Sequence, residues 1–242
     1  MIKEAIILAG GLGTRLRSVV DDRPKCMALI HGKPFLHYLI RYLQQEGIEK
    51  FIFSVGYMHE VIEEYLHSIK PALDFQISLE NEPLGTGGGI QLACRLTTQT
   101  DVIVCNGDTL YKADISTLAD FHKSVSAGCT LTLKPMKNFD RYGVVELNND
   151  QSIFSFKEKR FYENGLINGG IYALNIPHFL NENLPEKFSF EKDYLEPKTT
   201  KNLSVPTLFG CIQDAYFIDI GIPEDYEKAE KEIMQHFPSD FF

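Results

Sequence analysis

Short apolar runs rich in β-branched residues recur along the first half of the chain: AIILAG at 5–10, KFIFSVG at 50–56, FQISLE at 75–80 and DVIVCNGD at 101–108. Between them, FLHYLIRYLQQEG at 35–47, MHEVIEEYLHSI at 58–69 and GGIQLACRLTT at 88–98 return their apolar residues with helical period. Continuous apolar strands alternating with helices predict parallel strands joined by right-handed crossovers, hence a doubly wound sheet. The second half changes character. CTLTLKP at 129–135, YGVVEL at 142–147, SIFSFKEK at 152–159 and LINGGIYALN at 166–175 lie close together, and a turn-forming NNDQ between two of them predicts antiparallel pairing. Helices are expected again over 190–198 and over PEDYEKAEKEIMQHF at 223–237, where Pro223 suits a first helical turn. No repeat, low-complexity tract or Pro/Ser-rich linker divides the chain. The expectation is one α/β domain over 1–242, with a mixed, mostly parallel sheet whose later strands build a second wall of the site.

Composition narrows the class. With 44% hydrophobic and 24% charged residues the chain reads as a soluble globular protein, and no apolar stretch approaches the roughly 18 residues of a membrane span. MIKEAIILAGG reads as a first strand rather than a signal peptide, because its apolar segment leads into glycines and not into a small-residue cleavage site. Cys26, Cys94, Cys105, Cys129 and Cys211 are odd in number and widely spaced, which argues against a disulfide framework or a zinc cage and suits a reducing cytoplasm. A formal charge of −9 disfavours a general nucleic-acid surface. Positive charge for a phosphorylated ligand must therefore be local, and Arg15, Arg17, Arg23, Lys25 and Lys33 gather within one stretch near the N-terminus.

That stretch opens where a strand ends, AIILA running into GGLGTRLR. Glycine permits close backbone approach, so successive N–H groups can point at phosphate oxygens while Arg15 offers a planar fork; an ordinary βα turn would use the same glycines. Gly11-x-Gly13-x-x is followed by Leu16, so the third dinucleotide glycine is missing, and no Gly-x-x-x-x-Gly-Lys-Ser/Thr string exists. Lys25 follows Pro24 and is presented on a stiff segment. ENEPLGTGGGI at 80–90 repeats the glycine device at another strand end, before a helix, and two such loops could clamp a nucleotide. Asp108 ends a buried strand and could hold Mg²⁺ or cap a helix; Asp219, between isoleucines before a glycine turn, is a second acid so placed.

Other chemistries fall away. HEVIEE at 59–64 has Glu63 where a zinc helix needs its second histidine and reads as a solvated helix face. The serines lack a Gly-x-Ser-x-Gly elbow. Tyrosines and phenylalanines sit within strands and helical stripes and read as core rather than as base-stacking platforms.

Taken in order, LAGGLGTRLR, RPKCM, PLGTGGG, NGD, YGVVE, FKEK, NGGIY and DIGIPEDY make the chain, from Ile2 to about Glu230, resemble the sugar-1-phosphate nucleotidylyltransferases, and within them the D-glycero-α-D-manno-heptose 1-phosphate guanylyltransferases. The resemblance implies a Rossmann-like three-layer sandwich, a 1–110 nucleotide-binding half and a 111–242 sugar-phosphate half. It also implies attack by a sugar 1-phosphate on the α-phosphorus of a nucleoside triphosphate, GTP within that branch, with Mg²⁺ as cofactor and neither nucleic acid nor membrane as partner. A homo-oligomer is left open. By motif, the resemblance gives Leu8, Gly10, Gly11, Gly13, Thr14, Glu80, Gly85 and Thr86 as nucleotide contacts, and Arg15 as stabiliser of the leaving pyrophosphate. Lys25 falls at the α-phosphate, Asp108 and Asp219 at the metal, and Gly143, Glu158, Lys159 and Asn168 at the acceptor, with Lys159 on the sugar phosphate and Glu158 on hydroxyls. Cys26 and Phe217 stand where the family often has proline and tryptophan. A carboxylate at Glu80 could accept the N–H donors of guanine, but uracil also has a donor, so uridylyl or cytidylyl transfer and acceptors such as mannose or N-acetylmuramate phosphates stay open. A non-catalytic nucleotide-sugar sensor would be expected to have lost Lys25 or the acids, and a glycosyltransferase would prefer an Asp-x-Asp motif where NGDT offers one acid.

Overall fold

The computed structural model describes residues 1–11, 23–203 and 205–237. The chain runs β1 (Glu4–Leu8), β2 (Leu29–Ile30), β3 (Lys33–Pro34), α1 (Phe35–Gln45), β4 (Lys50–Val55), α2 (His59–Ser68), β5 (Asp74–Leu79), α3 (Gly85–Ala93), β6 (Asp101–Asn106) and β7 (Thr109–Tyr111). It continues as α4 (Ile115–Ser124), β8 (Cys129–Phe139), β9 (Val145–Leu147), β10 (Ile153–Phe156), β11 (Tyr162–Asn175), α5 (Ile176–Leu180), β12 (Leu208–Ile212), β13 (Phe217–Asp219) and α6 (Pro223–Glu232).

Seven strands form the central sheet in the order β12-β8-β11-β6-β1-β4-β5. All neighbours pair in parallel except β11, which runs antiparallel to both β6 and β8. This is the mixed, mostly parallel sheet expected. Alternation along the strands divides the core. Ala5, Ile7, Phe51, Phe53, Ile103 and Cys105 face α1, α2, α4 and α6, whereas Ile6, Ile52, Val102 and Val104 face α3, α5 and the 188–195 segment. The result is three layers around one continuous sheet, because strands buried on both faces must be apolar at every position.

Local signals explain the helix boundaries. Asp114 caps α4 by accepting from Thr117 N–H at 2.8 Å, and Asn175 caps α5 by accepting from His178 N–H at 3.0 Å, with Pro177 in its first turn. The NNDQ turn forms as expected, joining antiparallel β9 and β10 with Gln151 at φ 65°. The 190–198 segment is helical as expected, as a π-helix over Phe190–Leu195 followed by a 3₁₀ turn over Glu196–Lys198. One expectation is corrected. The glycines of GTGGG do not form a free loop but make up the first turn of α3.

Two arrangements position the site. From β1 the chain moves outward to β4 and β5, then crosses back to β6 on the other side of β1, so the carboxyl ends of β1 and β6 flank the point where strand order reverses. The second is an arm. β11 pairs with β6 only over Ile171–Asn175, while its earlier residues pair with β8 as far as Phe139, so this antiparallel pair continues past the carboxyl edge of the parallel strands.

Candidate active site

A cleft of about 890 Å³ lies at that carboxyl edge, with Leu8, Gly10, Gly11, Glu80, Gly85, Thr86 and Asp108 in its lining. Its floor is built from strand ends tied to one another. Ala9 N–H donates to Ser54 C=O and Gly107 N–H to Leu8 C=O, both at 2.8 Å. A Cβ on Gly107 would stand 2.8 Å from the Leu8 carbonyl oxygen, so only glycine lets β6 turn this close to β1. Gly13, Thr14 and Arg15, three of the expected phosphate contacts, lie outside the described residues.

Glu80, just beyond β5, joins the two glycine segments. Its Oε1 accepts from Ser54 Oγ–H at 2.9 Å and its Oε2 from Leu84 N–H at 3.0 Å, which holds the carboxylate at the cleft wall with lone pairs to spare. A Cβ on Gly89 would come within 2.8 Å of Glu80 Oε1, and one on Gly10 within 3.2 Å. The remaining glycines answer to a different neighbour. A Cβ on Gly87 would enter the Phe188 ring at 2.1 Å, and one on Gly88 would lie 2.3 Å from the Glu186 carbonyl oxygen. Gly85, at φ +75°, faces the Phe188 carbonyl. Thr86 fastens the same segment by accepting from Phe190 N–H and donating to Glu191, each at 2.8 Å.

Three charged groups converge at Asp108, which lines the cleft; its partners Lys25 and Asp219 are not among the lining residues. Asp108 follows β6 in the turn to β7; β7 pairs antiparallel with β13, placing Thr109 opposite Asp219. Ile220 N–H donates to Asp108 C=O at 3.1 Å, and Gly221 N–H donates to Asp219 Oδ1 at 2.8 Å, fixing both turns. Lys25, first residue of a 3₁₀ turn after Pro24, lies with Nζ 2.5 Å from Asp108 Oδ2 and 3.6 Å from Asp219 Oδ1. Burial, reinforced by Asp108, pushes the Asp219 carboxyl above the ordinary carboxylate range despite Lys25. Two acids sharing one ammonium suit a hard divalent cation that takes its remaining oxygens from phosphate and water. Among the described residues no group of three or more His, Cys, Asp or Glu could hold a metal, so the two-acid site needs ligand oxygens to complete it.

The expected acceptor contacts lie on the other half. Gly143 is pressed against the Lys157 carbonyl, 2.4 Å from where its Cβ would stand. Glu158 and Lys159 are exposed in the turn before β11, and Tyr162 donates to the Glu158 carbonyl at 3.0 Å. Asn168 sits at the irregularity of β11, its Nδ2–H donating to Tyr172 Oη at 2.9 Å and its Oδ1 accepting from Gly170 N–H at 3.0 Å. Gly170, at φ +73°, packs on Asn106 beside Asp108. None of these four lines the 890 Å³ cleft itself.

The cleft also contains residues the sequence reading did not select: Tyr57, Met58, His59, Glu60, Asn106 and Glu191. His59 is therefore not on a solvated helix face. Its side chain is 27% exposed at the cleft, 3.4 Å from Glu60 and 4.0 Å from Glu63. The available signal was position, since these residues follow the carboxyl end of β4 just as Gly10 follows β1.

The family model described as Nucleotidyl transferase matches residues 4–236. The chain belongs to that family. Among curated nucleotidyl transferases it is 51% identical over 234 residues to the D-glycero-alpha-D-manno-heptose 1-phosphate guanylyltransferase of Aneurinibacillus thermoaerophilus, spanning 97% of this chain and 99% of the relative. The enzyme of the same description from Campylobacter jejuni is 45% identical over 92% of this chain and 96% of its own. The crystal structure of HddC from Yersinia pseudotuberculosis superposes with a TM-score of 0.85 at 38% identity, covering 96% of this chain and all of that one. HddC has also been crystallised with GMP-PN. As a nucleotidyl transferase, the chain places the carboxyl edge of its sheet where open α/β folds hold their ligands.

Proposed function

We propose that the protein transfers a guanylyl group from GTP to D-glycero-α-D-manno-heptose 1-phosphate, giving GDP-heptose and pyrophosphate. An oxygen of the sugar phosphate attacks the α-phosphorus; that P–O bond forms while the bond to the β-phosphate oxygen breaks, and pyrophosphate leaves. Neither bond change requires a proton to be moved by the protein, so positioning and neutralisation of charge supply the rate. The observation that carries this reading is the convergence of Lys25, Asp108 and Asp219 at the strand edge that also presents Gly10 and Gly11.

In this reading Glu80 receives N–H donors of the guanine, and the backbone at Gly10, Gly11 and Gly85, with Thr86, lines the nucleotide's path. Lys25 neutralises charge growing on the α-phosphate. Asp108 and Asp219 would hold a magnesium ion, which supplies Lewis-acid charge to the phosphate oxygens. Lys159 and Glu158, carried by the arm, meet the acceptor's phosphate and hydroxyls, and Gly143 and Asn168 shape the wall behind it. Arg15 completes the pyrophosphate side. Guanine and heptose are supported by the two relatives at 51% and 45% identity. A cytoplasmic setting is supported by five free, buried thiols.

The test is a pyrophosphate-release matrix of four nucleoside triphosphates against heptose, mannose and N-acetylmuramate 1-phosphates, with Asp108→Ala as control. GTP with the heptose phosphate is expected to give the highest kcat/KM, and the control none. Turnover that survives in Asp108→Ala, or that prefers another pair, overturns the proposal.

A further inference from the structure

Tyr57 is 64% exposed, yet it lines the cleft. Tyrosine rings are usually covered on at least one face, because the ring carries a large apolar surface. No ring among the described residues packs against this one, whereas in the core Phe51 stacks with Phe53, Phe190 with Tyr194, and Tyr172 and Phe179 meet their neighbours edge-on.

The backbone holds the ring where it is. Met58, the next residue, has φ 58° and ψ 33°, a left-handed conformation that costs a side chain roughly 1 kcal/mol or more. His59 N–H to Gly56 C=O and Val61 N–H to Met58 C=O, both 3.2 Å, lock that turn into the start of α2. The strained residue reverses the chain so that Tyr57 stands at the crest. On the other side, Gly56 lies against Gly10 and Glu80; its Cβ would stand 3.7 Å from the Gly10 carbonyl oxygen and 3.9 Å from that of Glu80. The phenol is thus one residue from the junction of the β1, β4 and β5 ends, and it shares a cleft with the Glu80 carboxylate.

A carboxylate that accepts N–H donors engages a nucleobase in its plane and leaves the base's faces bare. A face is best covered by a flat aromatic surface; the described lining offers aliphatic Leu8, Met58, Leu79 and Pro83, but among the described residues lining this cleft Tyr57 is the one phenylalanine, tyrosine or tryptophan. We propose that Tyr57 stacks on the face of the guanine whose edge Glu80 reads, making it an affinity determinant of the nucleotide site. The proposal rests on the guanylyl-transfer reading above for the identity of the base. Stacking is tolerant of base identity, so Tyr57 strengthens nucleotide binding while Glu80 discriminates.

Two measurements test it. Tyr57→Ala is expected to raise KM for GTP roughly tenfold to a hundredfold, with kcat and KM for the sugar phosphate within about twofold, and Tyr57→Phe to restore the wild-type KM. The chain contains no tryptophan, so Tyr57→Trp introduces a single fluorophore at the proposed contact. Its emission is expected to fall saturably on titration with GMP and to stay unchanged with ribose 5-phosphate. A Tyr57→Ala KM for GTP within twofold of wild type, or Tyr57→Trp emission that GMP leaves unmoved, overturns the stacking role. The fluorescence titration needs no acceptor, so it decides the stacking role even if the transfer assay finds no turnover with any sugar phosphate.

Discussion

Lys25 and Asp108, 83 positions apart in the chain, meet through an ion pair of 2.5 Å in which the lysine side chain is 12% exposed. The lysine also reaches Asp219, so one ammonium offsets two acids that would otherwise repel each other in a partly dry pocket.

Replacing that ammonium separates its two tasks. Lys25→Gln is expected to lower kcat for pyrophosphate release by about 10²- to 10³-fold, the usual loss for one preorganised charge stabiliser. The same variant is expected to melt below the wild type in EDTA, and magnesium is expected to recover part of the difference by replacing the lost charge. Thermal melts with and without the cation, run beside the kinetics, check both statements.

Gly88 gives a test of the close packing under the cleft. A Cβ there would lie 2.3 Å from a main-chain oxygen, which cannot swing aside as a side chain can. Gly88→Ala is expected to destabilise the fold by about 1–3 kcal/mol even though alanine is the better helix former. That corresponds to a fall in Tm of roughly 2–4 °C per kcal/mol, read by calorimetry, together with a raised KM for GTP.

These glycines also show where the sequence was legible and where it was not. The four parallel strands of the first half, their helices and the glycine-bearing strand ends are written locally, as unbroken apolar runs stopped by turn residues. The meeting of Asp108 with Asp219 followed from strand-end logic and the motif order, because both acids close apolar runs. By contrast, the contact of Gly87 and Gly88 with 186–188 spans about a hundred residues, and no local pattern carries it. The same holds for β12, a five-residue strand placed by pairing with β8 and not selected beforehand. Tyr57 escaped because a tyrosine after a strand looks like core until burial is known.

Glu4 sets an acid limit on stability. Its side chain opens β1 and is 5% exposed; burial alone would raise its pKa, but hydrogen bonds from the Thr98 hydroxyl, Thr98 N–H and Gln99 N–H, aided by Lys50, bring it below its ordinary value of 4.5. A carboxylate whose folded pKa is depressed contributes stability that is complete above its unfolded pKa and is lost as pH falls through the folded one. Wild-type Tm is therefore expected to drop below about pH 4.5, and Glu4→Gln to start about 1–3 kcal/mol less stable at neutral pH with a shallower acid slope. Melts from pH 3 to 7 compare the two slopes.

The thiols are expected to be inert. All five cysteines are free and buried, and burial pushes Cys26, Cys94 and Cys105 up to about 12. With so little thiolate at pH 8, a thiol reagent should label none of them within minutes in the native protein and all five after unfolding. Activity retained after such treatment would agree; fast native labelling would contradict the packing around Cys26 beside Lys25.

The reversed direction of β11 has an engineering consequence. Parallel strands bring their carboxyl ends to the glycine-bearing edge of the cleft, whereas β11 runs the other way and carries its early residues, with the 157–160 turn before them, past that edge. With the acceptor contacts where we propose them, the two substrates would be gripped by chain segments of opposite polarity, and residues 134–168 would form a cassette in which the sugar could be exchanged while the grip on the triphosphate is left alone.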